Sequence, residues 1–246
     1  MKQPYVYAHR GASGYAPENT LPAFEKALEM GADGIEIDVH FSKDGALVVT
    51  HDEYIDRVSD GHGFVCQQTL EELRQYNFNC GMEAFGHVQV PELREVFSLI
   101  KAHGALLNIE IKNSVFPYPG LEEAILQLAD EMGVTDQLLF SSFNHASMAH
   151  VKRLRPNVPA ALLYGAVLHH TADYARSCGV DGIHPIYVSA WEDVVQEVHE
   201  AGLFCNVWTV NDPEHMKLIL ARGVDAIITN YPDVAVRIRD DFAAQP

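Results

Sequence analysis

Residues 31–39 read Gly31-Ala32-Asp33-Gly34-Ile35-Glu36-Ile37-Asp38-Val39. The glycine at 31 ends a helical pattern, and an alternating run opens three residues later. Successive side chains of a strand face opposite ways. Ile35, Ile37 and Val39 therefore share one side, and Glu36 and Asp38 share the other. The same opening recurs as Gly179-Val180-Asp181 and Gly223-Val224-Asp225. This is an architectural cadence rather than a solenoid repeat.

Outward from this stretch, short β-branched runs occupy 5–9, 34–39, 106–112, 137–142, 160–163, 182–184, 204–209 and 226–229. Helical stretches separate them, with apolar residues three and four apart. Leu21, Phe24, Ala27 and Leu28 form one such face; Leu93, Val96, Phe97 and Ile100 form another. Gly31, Gly104, Gly133, Gly179, Gly202 and Gly223 follow helical runs, where a left-handed residue is needed. Parallel strands need helical crossovers, so this alternation predicts a parallel α/β sheet. Eight units within 246 residues favour closure into a (β/α)8 TIM barrel, one domain over 1–246. No GxGxxG follows a strand, which weakens an open dinucleotide-binding sheet. The cadence breaks at 53–90, where Asp60-Gly61-His62-Gly63 and Gly81 intervene. This reads as a small insertion after strand 2, packed over the barrel mouth.

Composition narrows the function. Lys and Arg number 17 against 34 Asp and Glu, a net charge of −17. That excludes a broad nucleic-acid or anionic-membrane surface. No secretory apolar region precedes Tyr5-Val6-Tyr7-Ala8 and no run is long enough to span a bilayer, so the chain reads as cytoplasmic without stable membrane association. Cys66, Cys80, Cys178 and Cys205 lack CxxC spacing and read as free thiols. No exposed apolar stripe assigns an oligomeric state. Composition leaves disorder only to the tail near Pro246.

Within this frame a few residues carry chemistry. In Ile109-Glu110-Ile111-Lys112, Glu110 and Lys112 share a face by the same parity. A buried unpaired carboxylate is costly, so something must compensate these charges. A salt-bridge network in the barrel is one answer. With Glu36, Asp38 and Glu110 converging, a bound hard cation is the better one, and an oxygen-only ligand set selects Mg²⁺ or Ca²⁺. His9 and His51 each end an apolar run and precede a charged residue, Arg10 and Asp52. Barrel active sites form at the C-terminal ends of strands. A divalent cation with Arg10 and Lys112 outweighs the three carboxylates by one positive charge. A phosphodiester monoanion would neutralise the site. Arg meets phosphate through a bidentate fork and Lys as a point charge. His9 and Arg10 have opposite parity, so the chain is expected to turn at Arg10, helped by Gly11. Trp208 shares a face with Asn206 and suits core packing as well as a pocket wall.

These blocks resemble the glycerophosphodiester phosphodiesterases, of the bacterial, cytoplasmic type. The resemblance runs in order through Ala8-His9-Arg10-Gly11, Pro17-Glu18-Asn19-Thr20, Gly34 to Val39, Ser42-Lys43-Asp44-Gly45, His51-Asp52, Asn108 to Lys112, Ser141-Ser142-Phe143 and Trp208-Thr209-Val210-Asn211. It implies a barrel with an insertion after strand 2 and hydrolysis of glycerophosphodiesters to sn-glycerol 3-phosphate and an alcohol. It implies His9 and His51 as a general acid/base pair, and Glu36, Asp38 and Glu110 as ligands of one Mg²⁺ or Ca²⁺. Arg10 and Lys112 would contact phosphate and Trp208 would line the glycerol side. Asn230 stands where the family often has Asp. A lysophospholipase D-type reaction is the nearest alternative on the same site. Phe143, His184 and Tyr187, near strand ends, suit packing better than specificity. Glu18 could orient Arg10 or simply be solvated.

Overall fold

A computed structural model describes residues 3–244. The tail at Pro246 lies outside the described residues. In chain order the elements are β1 (Tyr5–His9), α1 (Leu21–Glu29), β2 (Gly34–Phe41), β3 (Leu47–Val49), α2 (Leu70–Leu73), α3 (Leu93–His103), β4 (Leu106–Ile111), α4 (Leu121–Met132) and β5 (Leu138–Ser142). Then follow α5 (His145–Leu154), β6 (Ala160–Tyr164), α6 (Thr171–Cys178), β7 (Gly182–Pro185), α7 (Glu192–Glu200), β8 (Phe204–Val207), α8 (Pro213–Ala221), β9 (Ala226–Thr229) and α9 (Pro232–Ala243). The strand order is β1-β9-β8-β7-β6-β5-β4-β2-β3, and β1 also pairs with β2. Eight parallel strands thus close on themselves, giving the expected (β/α)8 TIM barrel.

The ninth strand breaks the pattern read from the sequence. Strand β3 pairs antiparallel with the end of β2, Val39 opposite Val49. The chain climbs past the mouth on β2, turns, and descends on β3. His51 therefore reaches the mouth from above, on the return of a hairpin, and not from a barrel strand. The run Leu47-Val48-Val49 is apolar because it is buried, and a run this short carries no sign of strand direction.

Strand parity is as expected. Ile35, Ile37, Val39, Ile109 and Ile111 lie in the core between sheet and helices, with Phe97 and Ile100 of α3. Inside the barrel, Tyr7, Leu139, Ala226 and Ile228 form an apolar plug below the catalytic end. The segment between β3 and α3 has its own core of Val48, Ile55, Val58, Val65, Leu73, Phe78 and Val90. Gly104 and Gly133, at φ 64° each, take the left-handed cap positions of α3 and α4.

The Gly-x-Asp cadence has one structural role three times over. Oδ2 of Asp33 accepts the amide of Val6, 2.7 Å. Oδ2 of Asp181 accepts that of Ala160, 2.9 Å, and Oδ2 of Asp225 that of Cys205, 2.7 Å. Each carboxylate caps the opening of a neighbouring strand at the end of the barrel away from the mouth. Among the described residues no helix is long and apolar enough to cross a membrane.

Candidate active site

At the end of β1 the chain turns as the opposite parity of His9 and Arg10 requires. Arg10 has φ 57° and Gly11 φ 81°. A Cβ on Gly11 would stand 2.7 Å from the backbone of Ala23, so this turn admits only glycine. The Arg10 amide donates to both the backbone carbonyl of Glu36, 2.9 Å, and its Oε2, 3.0 Å. Its guanidinium swings back over β2, with Nε 3.5 Å from Oδ2 of Asp38 and Nη1 3.0 Å from Oε1 of Glu18.

Register brings the carboxylates together. Asp38 sits opposite Glu110 and Glu36 opposite Asn108. Glu36, Asp38 and Glu110 each offer an oxygen within 4.8 Å of the others, and all three are buried. Lys112 donates to Oε1 of Glu110 at 2.7 Å and lies 3.6 Å from Oδ1 of Asp38. Asn19 donates to Oδ2 of Asp38 at 2.8 Å. Burial and the charge of Asp38 push the Glu110 carboxyl up to about 7, and burial with Asp38 and Glu110 pushes Glu36 well up too. Asp38 is buried as well, yet Lys112 and Arg10 hold it below the usual carboxylate range.

The donor set fits a hard divalent cation. It is three carboxylates without thiolate, and Oδ1 of Asp38 is buried with no hydrogen-bond partner. Two cations oppose three carboxylates, so one negative charge is left uncompensated; burial raises the pKa of Glu36 and Glu110, and a divalent ion would displace the proton held between them. The sign of the pH effect follows. A carboxyl whose folded pKa is raised keeps its proton in the folded state, so this group disfavours folding as pH rises from about 4.5 toward 7. A cation competes with that proton and removes the penalty. Buried His40 and His184 and part-buried His9 have lowered pKa values and act in the opposite sense, as groups that bind a proton only on unfolding. The rise in thermal midpoint on adding Mg²⁺ or Ca²⁺ is therefore expected to be larger at pH 8 than at pH 5. Calorimetry on metal-stripped protein checks this; an equal shift at both pH values would show that no proton is displaced from these carboxyls.

The two histidines have different partners. His9 Nδ1 lies 2.7 Å from Oδ1 of Asn230, which accepts, so the proton sits on Nδ1 and Nε2 is free. Burial and the adjacent Arg10 guanidinium lower the His9 pKa to about 4, so the ring is neutral at pH 7. His51 Nδ1 lies 2.6 Å from Oδ1 of Asp52, which orients the ring and leaves Nε2 facing away from it. The carbonyl of His51 accepts from Nε2 of His40 at 3.2 Å. No role was assigned from the sequence to Asp52 or His40, and Asn230 was noted only as a departure from the family's Asp. Adjacency to His51 and strand parity with Asp38 were the available signals for Asp52 and His40; for Asn230 the resemblance marked the position, but nothing in the residues tied it to His9, 221 residues away.

One cleft is lined by His9, Arg10, Glu36, His51, Glu110 and Trp208. Trp208 serves both ends of the alternative left by the sequence. It packs against the apolar plug and also faces the cleft, with Nε1 donating to the carbonyl of His184 at 2.7 Å. Phe143 lines the same wall, edge-on to Trp208 at 5.5 Å. His184 is wholly buried beside Asn206, and Tyr187 pairs with His215.

Comparison with known proteins places the chain in a family. The model of the glycerophosphoryl diester phosphodiesterase family matches residues 9–234. A glycerophosphodiester phosphodiesterase of Caldanaerobacter subterraneus subsp. tengcongensis is 40% identical over 234 residues, 95% of this chain and 96% of its own length. One from Bacillus altitudinis is 39% identical over 96% of this chain and 98% of its own. Among solved structures, an Oleispira antarctica phosphodiesterase in complex with the product sn-glycerol-3-phosphate superposes with a TM-score of 0.88 at 32% identity, covering 97% of each chain.

Proposed function

This chain belongs to the glycerophosphoryl diester phosphodiesterase family, and from that premise we propose that it hydrolyses glycerophosphodiesters to sn-glycerol 3-phosphate and an alcohol with His9 and His51 transferring the protons. Its activity is that of a glycerophosphodiester phosphodiesterase. The observation that carries the mechanism is a cleft lined by His9, His51, Arg10, Glu36 and Glu110, with buried Asp38 grouped with the two glutamates and Lys112 bonded to Glu110.

Glu36, Asp38 and Glu110 would hold one divalent cation, Mg²⁺ or Ca²⁺. When bound, that ion supplies Lewis-acid stabilisation of charge on the phosphoryl oxygens. Arg10 and Lys112 contact the same phosphate. Both are pinned by carboxylates, so their charges are oriented before substrate arrives and cost little reorganisation. His9, neutral with a free Nε2, accepts the proton of the attacking oxygen. His51, backed by Asp52, donates a proton to the departing alkoxide. The lysophospholipase D-type alternative is not favoured by the relatives.

Trp208 forms the glycerol wall, and no residue of comparable rigidity is assigned to the alcohol. Specificity is therefore expected on the glycerol side. Trp208→Ala should lower kcat/KM by a similar factor for every glycerophosphodiester, consistent with losing an apolar contact of about 1–3 kcal/mol. The test is a panel of glycerophosphocholine, glycerophosphoethanolamine and the glycerol-free bis(p-nitrophenyl) phosphate, with glycerol 3-phosphate release measured for the first two. If the glycerol-free diester is cleaved as fast as glycerophosphocholine, the enzyme is a generic phosphodiesterase and this role of Trp208 is wrong.

A further inference from the structure

Arg57 lies in the aperiodic segment after β3, between the buried residues Ile55 and Val58 of that segment's own core. Its guanidinium reaches two carboxylates at once. Nε donates to Oδ2 of Asp52 at 2.7 Å. Nη1 and Nη2 donate to the two oxygens of Glu18, each at 2.8 Å. Both carboxylates already serve the site. The second oxygen of Asp52 holds His51 Nδ1, and Oε1 of Glu18 also accepts from Arg10. An unbroken line thus runs from His51 through Asp52, Arg57 and Glu18 to Arg10, and from Arg10 to Asp38.

We propose that Arg57 is a positioning residue that sets the His51 ring and the Arg10 guanidinium in register with one another, and that the inserted segment folds its separate core in order to deliver it. The proposal rests on the reading of His51 as a proton donor and Arg10 as a phosphate contact. The Arg57 side chain is 48% exposed, and ion pairs so exposed contribute little to stability. What the fork does supply is direction. Three bonds in one plane fix two carboxylates relative to each other, which a lysine ammonium cannot do. Backbone bonds tie Arg10 to Glu36 and Thr50 to Asp38 of β2, but these hold the two backbones only and leave the direction of the His51 ring and the Arg10 guanidinium to their side-chain partners. Without Arg57, Asp52 and Glu18 turn independently, and misplacement of about 1 Å between reacting groups costs roughly 10²-fold in rate.

The experiment compares Arg57→Ala and Arg57→Lys with the wild type in three measurements. In kinetics, Arg57→Ala is expected to lower kcat by roughly 10–10²-fold with the thermal midpoint nearly unchanged, and Arg57→Lys to recover little of the loss. Guanidinium ion at millimolar concentration, which can enter so exposed a position, is expected to restore part of kcat to Arg57→Ala, while methylammonium does not. In ¹⁵N NMR of the imidazoles, Arg57→Ala is expected to deplete the Nδ1–H form of His51. Wild-type kcat in Arg57→Ala overturns the proposal. So does a loss that guanidinium leaves untouched while the His51 resonances stay unchanged, since that marks a merely structural role. The NMR measurement needs no substrate. A wild type that releases no glycerol 3-phosphate, yet shows the His51 response, would overturn the activity reading and leave the coupling standing.

Discussion

Removal of divalent cations is expected to reduce turnover by roughly 10³-fold or more, since Lewis-acid stabilisation of the phosphoryl charge is worth several kcal/mol. Addition of Mg²⁺ or Ca²⁺ should restore it. The expectation comes from charge. Without an ion, Arg10 and Lys112 are taken up by Asp38, Glu18 and Glu110 and have little left to offer an anion. A net charge of −17 over the whole chain makes the approach of a phosphodiester still less favourable. With a divalent ion among the three carboxylates, the site carries a surplus of positive charge that matches one monoanion. Glu110→Gln removes one ligand charge and should raise the cation concentration needed for half-maximal rate. The substitution is nearly isosteric and keeps an oxygen toward Lys112, so the fold should persist. The decisive preparation is protein shown by elemental analysis to be metal-free. Full activity in that protein would falsify the assignment of Glu36, Asp38 and Glu110 as ligands.

His9→Ala and His51→Ala are each expected to lower kcat by roughly 10²–10⁴-fold, the usual contribution of a proton transfer in the transition state. Both side chains are only part-buried, so truncation removes little packing and circular dichroism should be unchanged. The two losses should not multiply. Once one proton transfer is missing, the pathway that needs the other is closed, and the double variant should be little worse than the poorer single one. Their partners offer a finer test. Asp52→Asn keeps the shape but removes the carboxylate that orients the His51 ring, and should impair departure of poor leaving groups most. Replacement of choline by p-nitrophenol, which leaves without protonation, should narrow the gap between His51→Ala and wild type. Near wild-type kcat in His51→Ala on glycerophosphocholine would remove it from the mechanism.

Much of the architecture was legible in local pattern. A period of two puts Glu36 and Asp38 on one face and Ile35, Ile37 and Val39 on the other, whatever the rest of the chain does. The same holds for Glu110 beside Ile109 and Ile111. Carboxylates inside otherwise apolar strands signal a compensated site because their burial is costly. The turn at Arg10 followed from parity alone. What local pattern missed is equally specific. Leu47-Val48-Val49 reads as an apolar run, and nothing within it tells whether it runs with the barrel or against it. Arg57 looks like any exposed charge in an irregular segment.

By itself, then, the sequence determined which residues lie on a strand, which face each takes, and that the strands alternate with helices, because these depend on neighbours a few positions apart. Only the tertiary structure decided the partners. His9 meets Asn230 across 221 residues, and Arg57 meets Glu18 across 39. Barrel closure between β1 and β9 and the return of the β3 hairpin bring these pairs within hydrogen-bond distance. Register between strands is set by the packing of the whole ring, and a side chain's period carries no record of which distant group it will face.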